Sequence, residues 1–275
     1  MTVSTSQTLG RTRHVAGSSR RAGAATAGHV TIPQYGVGRI LAVWAAAAVP
    51  MALLAWVAAP ALASALGGEF PLVRALLVCL TAGLAWQFVL VMALVRIEQG
   101  TLRWPVVRDA LWLRAPRSPR TGRVGGRTWL VVIPLIAAAG LKELIPALAH
   151  PASRDLGAFM GSDAGQAFLH GAWAWFAMLV AMAVFNTVLG EELLFRGFLL
   201  PRMNGVFGRF DWLANGAIFA LYHLHVPWAI PKVFFDAVLY AYPTKRYRSA
   251  WIGIAVHSAE SVMFTVLALV LVVGT

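Results

Sequence analysis

Apolar residues in this chain come in long runs rather than in alternating or two-sided patterns, and those runs divide the sequence. About 20 consecutive apolar residues are what an α-helix needs to cross a hydrocarbon core of roughly 30 Å. Residues 40–66 form the first such run, interrupted by Pro50 and Pro60, and 73–95 the second. The third covers 128–148, where Pro134 predicts a kink. A fourth starts near Gln166 and ends at Leu200, and a fifth runs from about Trp212 to His225. A short sixth spans Val233 to Tyr242 and the last Ala250 to Val273. The pattern predicts an all-α fold, a polytopic transmembrane helix bundle of about seven hydrophobic spans. The short sixth segment is the marginal crossing; if it does not cross, everything after it changes side.

The polar intervals complete the division. Residues 1–38 are rich in Ser, Thr, Gly and Ala with scattered arginines, and read as a disordered basic tail. Residues 39–275 form the membrane domain. The interval 96–127 carries eight arginines against Glu98 and Asp109, and reads as a loop with a short interfacial helix through Trp104–Leu113.

Composition sharpens this picture. The 275 residues are 59% hydrophobic and 12% charged, with mean hydropathy +0.70, which excludes a soluble domain. A net charge of +12 would point to nucleic acid in a soluble protein; here the cations mark topology instead. The tail with Arg39, and the intervals 96–127, 201–210 and 244–249, hold 5, 8, 2 and 3 Lys/Arg. The opposite side holds Arg74, Arg154 and Lys232, with Lys142 near a span end. That asymmetry predicts a multi-pass protein of the cell membrane with a cytosolic amino terminus and no nucleic-acid partner. The single cysteine, Cys79, excludes an intramolecular disulfide and a cysteine metal cluster.

Within this apolar background, Gly190-Glu191-Glu192-Leu193-Leu194-Phe195-Arg196-Gly197 stands out. An ionised group at bilayer depth costs about 2.5–3.5 kcal/mol on insertion scales, so it is normally paired and functional. Glu192 and Arg196 share a helix face at i,i+4 and can pair. Glu191 is rotated roughly 100° from them and stays available. In the fifth span Phe219 and His223 share a face, and in the last span His257 and Ser261 do. Counting ~1.5 Å per residue puts Glu191, His223 and His257 at ~16, ~18 and ~12 Å from the same end of their spans. Three titratable residues at one level predict a site. A buried carboxylate can act as general base for water, and an imidazole, hydroxyl or amide can donate to a developing oxyanion. Glu191, His223 and His257 could equally hold a divalent metal such as zinc with an open position.

Glu191-Glu192-x-x-x-Arg196, then Phe219-x-x-x-His223, then His257 resemble the CPBP family of intramembrane endopeptidases, which includes CAAX prenyl proteases and bacteriocin-processing or immunity-linked proteins. The resemblance covers about 165–270, the expected catalytic core. It implies Glu191 activating water, His223 and His257 at the reaction centre, and Glu192 with Arg196 as supporting pair. It leaves both a metalloprotease and a metal-free glutamate mechanism open. It further implies a bilayer and a peptide or protein substrate, lipid-modified in some members. One position departs from the pattern: Ser261 stands where the family has Asn, a single hydroxyl in place of an amide. Two other readings fit the residues. One is a catalytically silent immunity or accessory protein; the other is a proton-coupled carrier, which the lack of an inverted repeat disfavours. Around the motifs, His225 reads as a surface residue beside Pro227, and Asp236 as a local partner of Lys232 at i,i+4. Asn186 and Asn215 read as interhelical hydrogen-bonding residues, and Lys142 and Glu143 as interfacial.

Overall fold

The computed structural model describes residues 1–2, 30–146 and 148–274. The expected basic tail falls largely on 3–29, outside the described residues. The described residues form an all-α bundle of membrane type, whose non-helical pairing amounts to one isolated bridge, Arg117 to Val124. Four helices are long and apolar enough to cross a membrane: α1 (Val37–Leu66), α2 (Pro71–Gln99), α7 (Trp173–Arg202) and α10 (Ala250–Val273). Between them lie α3 (Trp104–Ala110), α4 (Val132–Ala139), α5 (Leu156–Met160), α6 (Asp163–Leu169), α8 (Asp211–Tyr222) and α9 (Ile230–Tyr247).

Four long spans stand where about seven were expected, and the differences have local causes. The third run is broken into a 3-10 stretch (Gly126–Val131), α4 and a second 3-10 stretch (Gly140–Leu144). Pro134 lies in the first turn of α4, where its missing N–H costs no helical bond, so it forces no kink there. The fourth run is split at Gly171, whose φ of 66° is open to glycine and costly for other residues. Helix α7 therefore begins at Trp173 instead of near Gln166. The first run continues through both its prolines, with a widened π-helical turn at Leu54–Ala58 between them.

The main core joins α1, α2, α7, α8 and α9 through buried Ile40, Met51, Val91, Phe195, Phe198, Phe219 and Ala237. Charged groups inside it are paired. Arg202 is fully buried and donates to Glu98 at 2.6 and 3.0 Å and to the Phe198 carbonyl at 2.7 Å, while its guanidinium lies 3.7 Å from the Phe198 ring centroid. Glu98 also accepts from the Tyr35 hydroxyl. This cluster ties the end of α2 to the end of α7, as a buried charge requires.

Candidate active site

Two π-helical turns, Phe185–Gly190 and Leu193–Leu199, flank Glu191-Glu192 in α7. Such turns are rare, and frequent at functional sites. Gly190 permits the close approach here: a Cβ at that position would sit 2.5 Å from the Phe185 carbonyl oxygen and 2.9 Å from that of Leu84 in α2.

The two glutamates face different surroundings. Glu192 is fully buried, with Oε1 3.1 Å from an Arg196 nitrogen and 3.2 Å from Nδ1 of His257. Arg196 is also fully buried; its guanidinium lies 3.9 Å from the Phe219 ring centroid and donates to the Ala237 carbonyl at 3.3 Å. A desolvated cation over an aromatic face gains up to about 2 kcal/mol, which helps offset its burial. Glu191 instead lines a cavity of about 360 Å³. Turning the Asn186 amide nitrogen toward it, as the neighbouring donors and acceptors require, gives contacts of 3.1 and 3.2 Å to its two oxygens. Behind it, Gln87 of α2 donates to the Tyr222 hydroxyl at 2.7 Å.

His223, His257 and Ser261 line the same cavity as Glu191, so the four residues singled out in the sequence meet there, with Phe219 beside them. His223 is not mid-helix as expected. Helix α8 ends at Tyr222, and His223 occupies the turn that follows, its backbone N–H bonded to the Ala220 carbonyl. Pro227 disfavours helical geometry just before itself, which helps end the helix early. The His223 Nδ1 stands 3.0 Å from the Phe219 carbonyl oxygen. A carbonyl only accepts, so this nitrogen carries the proton and leaves Nε2 an acceptor in the neutral ring.

Two further readings are corrected. His225 is not at the surface: it stacks on His223 with ring centroids 5.2 Å apart, and its Nδ1 is buried. Asp236 pairs with Lys142 at 3.0 Å, not with Lys232, which pairs with Glu143 at 2.7 Å. Lys142 also reaches Glu260 at 2.5 Å, so Lys142 and Glu143 belong to the cavity wall. Asn215 does bond across the bundle, donating to the Phe195 carbonyl at 2.8 Å.

Asn186, expected from the sequence to bond between helices, instead meets Glu191 of its own helix, although regular α-helical spacing would put the two roughly 140° apart. Within the widened turn, residues five apart come into register. Among the described residues, no three His, Cys, Asp or Glu side chains stand close enough together to hold a metal ion.

Comparison with known proteins places residues 172–263 on the family model for type II CAAX prenyl endopeptidase Rce1-like proteins. That segment contains all seven motif residues, Glu191 to Ser261, and leaves α1 to α6 outside the match. The resemblance read from the motifs holds over this stretch. No curated protein and no solved structure matches the chain.

Proposed function

From the CAAX-endopeptidase match over residues 172–263, we propose that this membrane protein is an endopeptidase that hydrolyses a peptide bond in the cavity bearing Glu191. The observation that carries the reading is the convergence of Glu191, His223, His257 and Ser261, from three separate parts of the chain, on one cavity inside an apolar bundle.

In this reading Glu191 accepts a proton from water as it attacks the scissile carbonyl, then returns it to the leaving amine. Asn186 orients the carboxylate. Charge building on the carbonyl oxygen is met by the Ser261 hydroxyl and by His257 in its protonated form. Glu192 holds the His257 ring through Nδ1 and balances its charge, leaving Nε2 for the cavity. With its Nδ1 proton committed to Phe219, neutral His223 offers Nε2 as an acceptor, which suits holding the attacking water better than donating to an oxyanion.

A second cavity, of about 290 Å³, supports a substrate carrying a lipid or a large apolar group. It is lined by apolar residues including Leu77, Leu179 and Leu271, and shares Asn186, Ser261 and Phe264 with the first. An apolar chain lying there would place its attached peptide beside Glu191. The test is cleavage of paired peptides, prenylated and unmodified, by purified full-length protein and Glu191→Gln. Wild-type cleavage lost in the variant supports the reading. A well-folded wild type that cleaves neither peptide overturns it and favours a silent accessory protein.

A further inference from the structure

A third, chemically different cavity of about 640 Å³ lies apart from the candidate active site and shares no lining residue with it. Arg117 comes from the loop after α3, Arg209 from the turn before α8, and Lys245, Arg246 and Arg248 from the end of α9 and its cap. Lys245 is already engaged by Asp211. None of the four arginines has a carboxylate within ion-pair distance among the described residues, and residues 3–29 contain no Asp or Glu. The positive-inside tendency explains cations scattered along one side of a membrane. It does not explain why four unpaired guanidinium groups from three chain segments line one concavity, where they repel one another.

The backbone holds this array in place. The Arg117 N–H donates to the Tyr247 carbonyl at 3.0 Å, and the Ser249 hydroxyl to the Arg114 carbonyl at 2.6 Å. Arg248 caps α9 at φ 50°, a left-handed conformation uncommon for a residue with a side chain. Trp212 and Tyr242 complete the wall, packed edge to face with centroids 5.2 Å apart. Trp and Tyr are the residues that sit at headgroup level in membrane proteins. Guanidinium groups pair with phosphate through parallel N–H···O bonds.

We propose that this cavity binds the phosphate of an anionic phospholipid headgroup, with Trp212 and Tyr242 against the glycerol and upper acyl region. The experiment uses the full chain in a neutral detergent. Native mass spectrometry and thermal melting would be recorded with dioctanoyl phosphatidylglycerol, dioctanoyl phosphatidylcholine or inorganic phosphate. Phosphatidylglycerol should bind and raise the melting temperature, and phosphatidylcholine should bind far more weakly. Each cation near an anionic surface contributes about 1 kcal/mol, or roughly five-fold, so Arg117→Gln/Arg246→Gln should weaken phosphatidylglycerol about 30-fold. Should that variant fold poorly, Arg209→Gln/Arg246→Gln tests the same charge count while leaving the Arg117 loop intact. Inorganic phosphate binding as tightly as phosphatidylglycerol would keep the phosphate chemistry and overturn the lipid source. Equal binding of both lipids, or undiminished binding by a folded double variant, would overturn the proposal.

Discussion

Oε1 of Glu192 lies 3.2 Å from Nδ1 of His257 and 3.1 Å from an Arg196 nitrogen, so a single buried oxygen serves both a cavity histidine and a buried arginine. Its other oxygen, Oε2, has no hydrogen-bond partner among the described residues and points at Gly253 of α10, where an added Cβ would stand 2.5 Å away. The glutamate fits because α10 presents a glycine there. Gly253→Ala should displace Glu192, loosen His257 and destabilise the protein by about 1–3 kcal/mol. Thermal melting together with peptide cleavage checks this; an alanine variant with unchanged melting and activity would show that α10 shifts freely.

Arg196 is held by Glu192, by the Phe219 ring and by the Ala237 carbonyl. Arg196→Ala leaves the Glu192 carboxylate without its cation in a fully buried site, a change that typically costs about 3–5 kcal/mol. Low yield or a large fall in melting temperature is expected, partly recovered in Glu192→Gln/Arg196→Met. Arg196→Lys should not recover it, because a compact ammonium lacks the planar face that lies over Phe219.

Glu191→Gln keeps the shape of the side chain and its place in the cavity but removes the proton acceptor. Cleavage should fall by about 10²–10⁴-fold with melting unchanged. A glutamine variant as active as wild type would take Glu191 out of the mechanism.

Ser261 borders both cavities. If its hydroxyl meets the developing oxyanion, Ser261→Ala should lower kcat by about 10²–10³-fold with little change in KM, the mark of a contact made only in the transition state. Ser261→Asn should retain or raise activity, since the amide is the longer donor. Normal turnover by the alanine variant would leave the oxyanion to His257 alone.

Much of this was legible in the residues. Long apolar runs gave the four helices long enough to cross a membrane, because burial in lipid leaves a strong and simple signal. Spacing paired Glu192 with Arg196 and separated Glu191 from both, because the i,i+4 contact survives even though Arg196 lies inside the second widened turn. What failed depended on partners distant in sequence. Lys142 meets Asp236 and Glu260 from 94 and 118 residues away, and no local rule sets that choice against the nearer Lys232. Hydrophobicity also overstated helix continuity: it cannot see the break at Gly171 or the early end of α8 at Tyr222, both decided by backbone conformation.

The widened turns on either side of Glu191-Glu192 have a consequence for how α7 can change. Each carries i→i+5 bonds in place of i→i+4, so the face seen by Trp173–Val184 is out of phase with the face seen beyond Leu200. Deleting Val188 or Leu189, which lie between Asn186 and Gly190, would restore ordinary winding there without removing a functional side chain. It would also swing Asn186 out of line with Glu191, and leave the carboxylate in the cavity without the amide that holds it.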